Sequence, residues 1–317
     1  MIMKGSLVER VLAGDPYAVA RAISLVEVEG PEGTDLVRQV FNRDGHAYII
    51  GITGPPGVGK STFVDRLTSE IRSRELTVGV IAIDPTSPYT GGAVLGDRIR
   101  MQTHACDPGV FIRSMAARGN LGGVSRATGD AATILDRAGK DVILIETVGV
   151  GQDEVDIVRM ADVSIVMVMP DTGNEVQVLK AGIMEIADVF VVNKADLEGA
   201  DRTVAQIESV VDLQEYAVET WKPPVMMTQA VTKEGVREVF DKIEQFRSHH
   251  VEDSGLRNRN RTEFRLRELL ARRFVDYVEY RMLKGDEFEQ IVSRIADRTL
   301  DPYTAVDEIM SRLNQGN

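Results

Sequence analysis

A glycine-rich stretch between an apolar run and a helical pattern constrains this chain more than any other feature. The apolar run is Tyr48–Thr53, and the stretch after it reads Gly54-Pro55-Pro56-Gly57-Val58-Gly59-Lys60-Ser61. From Thr62 to Arg74, apolar residues recur at the spacing of one helix face. A strand, a glycine turn and a helix in this order are the context of a phosphate-binding loop, or P-loop.

The residue types of this loop fit the binding of a nucleoside triphosphate. Glycines permit the backbone path in which successive N–H groups point at a phosphate chain, and the helix N-terminus adds partial positive charge. We therefore expect Gly54 to Thr62 to hold the phosphates, Lys60 to reach the β and γ phosphates, and Ser61 to bind Mg²⁺. The alternative is an ordinary Gly/Pro turn, which the matching flanks disfavour.

Composition narrows the function classes. The chain has 317 residues and a formal net charge of −12, which argues against general nucleic-acid binding. The single cysteine, Cys106, can form neither an internal disulfide nor a cysteine-based zinc cage. No apolar run approaches the roughly 18 residues that span a bilayer, and Met1 to Gly30 shows neither a signal nor a transit peptide pattern. We expect no membrane association and a cytoplasmic location.

The order of apolar runs and helical patterns predicts the architecture. Between residues 46 and 248, short β-branched runs alternate with helical segments, which predicts an α/β fold with a doubly wound, mainly parallel sheet. Residues 1–45 predict an N-terminal helical extension, and residues 249–317 predict C-terminal helices without strands. The predicted strands are Tyr48–Thr53, Thr77–Ile83, Val110–Arg113, Asp141–Ile145, Val163–Met169, Val189–Val192 and Val225–Met227.

The C-terminal part is also basic. Between Leu256 and Lys284 there are nine Arg or Lys residues and four Asp or Glu residues. A solvated helix face and an interaction arm for self-association or a partner both fit this pattern.

A second motif, Asn193-Lys194-Ala195-Asp196, follows the apolar run Val189–Val192. In nucleotide-binding proteins this pattern recognises guanine, because an aspartate can accept from both N1–H and the 2-amino group of the base. Adenine offers neither donor and would leave the carboxylate unpaired, which is a costly mismatch. We expect Asn193 to contact the base edge and the Lys194 stem to lie against the ring. Gln229 and Ala230 are further candidates, although many guanine-binding proteins have Ser-Ala there.

Two further motifs contain acidic residues that could hold a metal. Asp84 ends the run Thr77–Ile83, and Asp97 follows in a glycine-rich stretch that fits a switch segment. Glu146 stands where many GTPases have the Asp of Asp-x-x-Gly, and the Gly149 N–H is a candidate donor to the γ-phosphate. We expect Ser61, Asp84, Asp97 and Glu146 to surround one Mg²⁺. For Asp84, a turn-capping role before Pro85 is the alternative.

The catalytic set is less complete than the binding set. The position after Gly149, often a water-orienting Gln, is Val150. We expect Lys60 and Glu146 to act in hydrolysis, and Gln152 or Lys180 to complete the site. Without such a group, hydrolysis of GTP to GDP should be slow.

Taken together, these motifs resemble the MeaB/ArgK family of P-loop GTPases, the G-protein chaperones of adenosylcobalamin-dependent methylmalonyl-CoA mutase. The resemblance covers nearly the whole chain and weakens after about residue 250. Beyond the motifs above, it rests on Gly91-Gly92, Leu95-Gly96-Asp97, Phe111-Ile112-Arg113-Ser114, Leu121-Gly122-Gly123, Pro170-Asp171-Thr172-Gly173 and the stretch from Gly14-Asp15 to Val26.

The resemblance implies a Mg²⁺-dependent GTPase related to the signal-recognition and nickel-insertion GTPases. Its partner would be a B12-dependent acyl-CoA mutase, whose cofactor loading or protection it would gate. The family's metal residues map onto Ser61, Asp84, Asp97 and Glu146, and a mobile segment maps onto residues 171–180, with Lys180 a candidate hydrolysis residue. A homodimer through the C-terminal helices is also implied.

Three other functions stay open at this point. A nickel-insertion GTPase would need a Cys/His cluster, whereas His104 and Cys106 make no closed site and are expected to be packing or loop residues. An ATP-dependent kinase linked to basic amino-acid transport is disfavoured by Asn193 to Asp196. A binding module that uses nucleotide only as a conformational signal is compatible with Val150.

Overall fold

The structure, a computed structural model, describes residues 5–85, 102–104, 106–117, 123–147, 160–170, 186–213, 220–250 and 254–315. The predicted site residues Asp97, Gly149, Gln152 and Lys180 lie outside these ranges. The chain divides into two compact units, Met1–Arg261 and Thr262–Asn317. The predicted domain boundaries at residues 45 and 248 stay predictions.

Helices and strands follow one another in the order that the sequence predicts. They are α1 Leu7–Leu12, α2 Pro16–Glu27, α3 Pro31–Phe41, β1 Tyr48–Thr53, α4 Lys60–Ser73, β2 Val78–Pro85, β3 Val110–Ala117, α5 Gly123–Arg137, β4 Val142–Glu146, β5 Val163–Val168, β6 Val189–Asn193, α6 Ala200–Val211, β7 Val225–Thr228, α7 Val236–His249, α8 Ser254–Tyr277, α9 Glu287–Ala296 and α10 Pro302–Gln315. A short 3₁₀ turn, Gln102–His104, precedes β3, and a π-helical turn, Val278–Met282, follows α8. Within the described residues, no helix is long and apolar enough to cross a membrane.

The strands form one seven-stranded sheet in the order β3-β2-β4-β1-β5-β6-β7. Each neighbouring pair is parallel, which confirms the predicted α/β class. β1 lies between β4 and β5, so the strand order changes direction beside it. In open α/β sheets, ligands bind at the carboxyl ends of the strands next to such a point.

Three polar residues that the sequence places at or just beyond strand ends are part of the strands. Glu146 is the last residue of β4 and pairs with Ile52, and Asn193 is the last residue of β6 and pairs with Thr228. Asp84 lies within β2, opposite Ala116 of β3, so the alternative that it only caps a turn is wrong. The apolar run stops one or two residues before the backbone ladder does, because the ladder needs no apolar side chain.

Burial on both faces explains the apolar character of the strands. On one face, Ile50 and Ile52 of β1 pack in a fully buried cluster with Phe63 and Leu67 of α4 and Phe240 of α7. A second cluster, on β6 and α6, contains Phe190, Val192, Ile207 and Val211. These clusters fix α4, and with it the start of the helix after the glycine-rich loop.

The N-terminal helices pack against α5 within the same unit. α1 begins with a capping box, in which Ser6 Oγ accepts from Glu9 N and Glu9 Oε2 accepts from Ser6 N. Arg113 of β3 donates to Ser24 Oγ of α2 at 3.0 Å and forms an ion pair with Glu27. These helices are therefore joined to the edge of the sheet by charged hydrogen bonds as well as by packing.

The second unit is helical, as predicted. Its small core includes Val278, Leu283, Leu300 and Ala305, each at most 9% exposed. An ion pair between Arg312 of α10 and Glu287 of α9 joins these two helices.

Candidate functional site

The loop between β1 and α4 has the backbone that phosphate binding requires. Gly54 and Gly59 have φ values of 149° and 98°. A Cβ at Gly54 would lie 2.2 Å from the Met167 carbonyl oxygen, and a Cβ at Gly59 would lie 2.5 Å from Asn193 Nδ2. Both glycines are therefore required by backbone conformation and by the close approach of neighbouring strands.

Lys60 begins α4 and lies inside the loop. Its Nζ donates to the carbonyl oxygens of Gly54 at 2.7 Å and Pro55 at 3.1 Å, and the residue is only 6% exposed. Val58 is fully buried and anchors the loop in the core. The ammonium group is thus placed where the loop N–H groups and the helix N-terminus also favour anions. Of the remaining loop residues, Pro56 and Gly57 are exposed and Thr62 is half-buried.

Ser61 lies beside the end of β4. Its Oγ donates to Glu146 Oε1 at 2.7 Å, and the two residues are 8% and 4% exposed. β4 runs between β1 and β2, with Glu146 in register with Ile52 and Ala82. Asp84, 4% exposed, lies two residues further along β2. One hydroxyl and two buried carboxylates therefore occupy the same edge of the sheet.

This donor set fits Mg²⁺. Hydroxyl and carboxylate oxygens are the ligands that Mg²⁺ takes in nucleotide sites, usually with waters and phosphate oxygens completing the shell. Two buried carboxylates are also costly unless a cation compensates them. In the described part of the chain, no three His, Cys, Asp or Glu side chains converge on a metal-sized site. The described candidates are thus Ser61, Asp84 and Glu146, and Asp97 lies outside the described residues.

Asn193 connects the predicted base-binding motif to the phosphate loop. Its Nδ2 donates to the Val58 carbonyl oxygen at 2.8 Å, and its Oδ1 accepts from Thr228 Oγ1 at 3.0 Å and from Ala230 N at 3.1 Å. The amide is 2% exposed. Asn193 therefore joins three segments of the site, the phosphate loop, β6 and the loop after β7.

The rest of the motif turns toward solvent. Lys194 has a left-handed backbone, with φ of 59°, and its Nζ lies 3.7 Å from the sulfur of Met169. Ala195 N donates to the Thr228 carbonyl oxygen at 3.0 Å. Asp196 is exposed, which leaves its carboxylate accessible to a ligand.

In the loop after β7, the backbone makes the described contacts. Gln229 N donates to the Glu234 carbonyl oxygen at 3.0 Å, and Thr232 N donates to the Gln229 carbonyl oxygen at 3.1 Å. Gln229 thus closes the turn with its backbone, and Ala230 N is the group that reaches Asn193.

The sequence motifs did not identify two groups of hydroxyl side chains in this site. Thr147 Oγ1 donates to Thr53 Oγ1 at 3.0 Å, which joins the ends of β4 and β1. Thr228 orients the Asn193 amide. The available signal was a threonine at the polar end of each of three neighbouring strands.

His104 and Cys106 are separated in environment. His104 is 8% exposed and its Nε2 lies 3.4 Å from Ser69 Oγ, whereas Cys106 is exposed. His104 is thus a packing residue, in agreement with the sequence interpretation.

Comparison with known proteins agrees with this geometry. The family model described as "Methylmalonyl Co-A mutase-associated GTPase MeaB" matches residues 19–284. A relative from Pyrococcus abyssi, named as a GTPase, is 49% identical over 319 residues, covering 99% of this chain and 98% of that protein. The methylmalonic aciduria type A homolog of Caenorhabditis elegans, described as mitochondrial, is 37% identical over 277 residues, covering 82% of this chain and 69% of that protein.

A solved structure also superposes over nearly the full length. It is described as a LAO/AO transport system kinase, is 26% identical to this chain, covers 99% of both chains and has a TM-score of 0.73. The P-loop, the guanine motif, the parallel sheet and the family match agree with one another. The chain therefore belongs to the MeaB family of P-loop GTPases.

Proposed function

We propose that this GTPase is a nucleotide-dependent switch that gates cofactor loading or protection of an adenosylcobalamin-dependent acyl-CoA mutase, such as methylmalonyl-CoA mutase. The observation that supports the proposal is the family match over residues 19–284, because the family description names a mutase-associated GTPase. The relative from Caenorhabditis elegans, whose name refers to methylmalonic aciduria, supports the same choice of partner.

In this proposal, water attacks the γ-phosphate of GTP. Lys60 and the loop N–H groups stabilise the charge that develops on the phosphate oxygens. Ser61, Asp84, Asp97 and Glu146 hold Mg²⁺, some through water. Bound Mg²⁺ would bridge phosphate oxygens and offset their charge.

Completion of the catalytic site depends on residues beyond the described geometry. Val150 occupies the usual position of the water-orienting Gln and cannot orient water. We assign the missing function to Gln152 or Lys180, and the Gly149 N–H to the γ-phosphate. Binding of the mutase would place Lys180 near the phosphates, as an activator's arginine does in other GTPases.

We also propose a homodimer formed by the C-terminal helices. On α8, Leu266, Leu270 and Phe274 recur every four residues and are 55%, 60% and 44% exposed. Burial of this apolar face would stabilise a dimer at about 25 cal/mol per Å². Light scattering should show a dimer that Leu270→Arg converts to a monomer, whereas Tyr17→Arg, at an 83% exposed residue of α2, should not. A monomeric wild type would contradict the proposal.

The mutase proposal is tested by co-elution. The protein, loaded with GDP or with a non-hydrolysable GTP analogue, is mixed with the mutase of the same organism and passed over a size-exclusion column. We expect a complex whose stability differs between the two nucleotide states. A GTPase that hydrolyses GTP but forms no complex in either state would refute the mutase partner and leave the GTPase activity intact.

A further inference from the structure

A buried carboxylate on α4, Asp65, lies outside all of the motifs discussed above. It is 5% exposed, and its two oxygens have different partners. Oδ1 accepts from Thr103 Oγ1 at 2.7 Å, and Oδ2 lies 3.2 Å from Arg66 Nη1. One acidic side chain therefore contacts both the turn Gln102–His104 and a cation on its own helix.

His104 strengthens the contact between that turn and α4. Its Nε2 lies 3.1 Å from the Asp65 carbonyl oxygen, 3.4 Å from Asp65 Oδ1 and 3.4 Å from Ser69 Oγ. A carbonyl and a carboxylate oxygen can only accept, so Nε2 must be protonated. The turn is thus held on α4 by two adjacent side chains, Thr103 and His104.

Arg66 extends the network to the base-binding side. Its Nε donates to the Ala230 carbonyl oxygen at 3.3 Å. The N–H of Ala230 donates to Asn193 Oδ1, the amide that also holds the phosphate loop. The Asp65–Arg66 pair therefore lies between the turn Gln102–His104 and the loop after β7.

We propose that Asp65 is a positioning residue for GTP hydrolysis, which fixes the turn Gln102–His104 on α4 through Thr103 and fixes Arg66 on the base-binding loop. Asp65 follows Ser61 by four residues, one helical turn, so the two side chains share a face of α4. The inference rests on the GTPase activity of the family and not on the proposed mutase.

The effect on catalysis follows from where Thr103 lies in the chain. Asp84 of β2 and Thr103 flank residues 86–101, which include the predicted metal ligand Asp97. The Asp65–Thr103 bond fixes the point at which the chain returns to α4, next to Ser61. Hydrolysis depends on placing charged groups to within a fraction of an ångström, whereas nucleotide binding is spread over many contacts.

The test uses Thr103→Val, which removes the hydroxyl at constant shape. Thr103 is exposed, so the variant should fold. We expect kcat to fall about tenfold, equivalent to about 1.4 kcal/mol, while GDP affinity stays within about twofold of wild type. Thr103→Ser, which keeps the hydroxyl, should restore kcat. In an Asp65→Ala background, Thr103→Val should have no further effect on kcat.

Thr304→Val is the matched control, because Thr304 is an exposed threonine whose Oγ1 also donates to a carboxylate, Asp301 Oδ2, at 2.5 Å. It should hydrolyse GTP as wild type does. The proposal is overturned if Thr103→Val keeps the wild-type kcat, or if its kcat, GDP affinity and melting temperature fall together. All measurements use the protein without mutase, so failure of the mutase proposal would not affect them. If Asp65→Ala does not fold, the Thr103→Val and Thr103→Ser pair decides alone.

Discussion

At the scale of single residues, Asn193 has the most connected position in the nucleotide site. Its amide bonds to Val58, which lies 135 positions away in the sequence, and to Thr228, which lies 35 positions away. A Cβ at Gly59 would collide with this amide, so the glycine of the phosphate loop and the asparagine of the base motif are fitted to each other. The phosphate and base subsites are thus one structural unit.

Base specificity is predicted to depend on Asp196. The change Asp196→Asn replaces a pure acceptor with a group that accepts and donates, so one hydrogen bond to guanine is lost and a carbonyl at C2 becomes acceptable. We expect GTP affinity to fall about 10- to 100-fold and xanthosine triphosphate to bind better than GTP.

Competition binding against a fluorescent GDP analogue measures both affinities. Glu198→Gln, two residues further along the same exposed loop, is the control and should bind GTP normally. Unchanged GTP affinity in Asp196→Asn, or equal ATP and GTP affinity in the wild type, would contradict guanine recognition.

The metal assignment is tested at Asp84. Removing a carboxylate that stabilises Mg²⁺ beside the phosphates should lower Mg²⁺-dependent turnover of Asp84→Ala about 100-fold or more. Turnover is measured against Mg²⁺ concentration, with Asp44→Ala, at an exposed residue, as the control. If Asp84→Ala turns over within a few-fold of wild type, Asp84 is not part of the metal site.

Residue identity at the site was largely predictable from sequence, and residue contacts were not. Gly54 to Ser61 and Asn193 to Asp196 follow fixed spacings that phosphate and base chemistry impose. The bonds from Thr228 to Asn193 and from Thr103 to Asp65 join segments 35 and 38 positions apart, and no local spacing encodes them. They become visible only once the strand order is known.

At the scale of elements, α4 is fastened to the chain before β3 at two heights. Near its start, Asp65 binds Thr103, and near its end, Arg72 forms a two-pronged pair with Asp107, with Nε–Oδ2 at 2.8 Å and Nη2–Oδ1 at 3.0 Å. The Arg72 guanidinium and the Gly109 N–H hold the pKa of Asp107 below its usual value. The ion pair also raises the pKa of Arg72.

The lowered pKa of Asp107 predicts a pH dependence of stability. A carboxyl whose folded pKa is lowered stabilises the fold above its unfolded pKa of about 3.9, and this contribution is lost as pH falls toward the folded value. The difference in free energy of unfolding between wild type and Asp107→Asn should therefore be constant from about pH 7 to 5 and shrink below about pH 4.

Urea unfolding at several pH values measures this difference. Asp44→Asn, at an exposed loop residue, should show no comparable difference at any pH. A gap between wild type and Asp107→Asn that stays constant down to pH 3 would exclude the ion pair as its source.

The strands themselves were predictable because each is buried on both faces and reads as a β-branched run. Their ends were displaced by one to four residues, since the ladder continues past the apolar run at Glu146, Asn193 and Ser114–Ala117. The order β3-β2-β4-β1-β5-β6-β7 could not be derived, because an apolar run does not specify its neighbour. The family resemblance supplied the class of sheet and not the register.

At the scale of the whole molecule, helical additions at the two ends of the chain differ in character. The N-terminal helices are joined to the sheet edge through Arg113 and Glu27, within the unit that contains the nucleotide site. The C-terminal helices expose apolar side chains on α8, and the stretch from Leu256 to Lys284 has nine basic and four acidic residues in a chain of net charge −12. The second unit is therefore the better candidate for contacts with other chains.

The account as a whole describes a GTPase that a partner protein completes. Val150 leaves the free protein without a water-orienting side chain, so its hydrolysis of GTP should be slow, on the order of that of Ras without its activator. A mutase that places Lys180 near the phosphates should accelerate the reaction. Lys180→Ala should then lose most of the acceleration and keep nearly normal GDP affinity, and a fully active Lys180→Ala variant would exclude this residue.

The most direct test is single-turnover hydrolysis of GTP by the purified protein, with and without the adenosylcobalamin-dependent mutase of the same organism. The account predicts that the mutase raises the rate at least about tenfold and that ATP is not hydrolysed under either condition. A mutase that co-elutes with the protein and leaves the rate of GTP hydrolysis unchanged would contradict it.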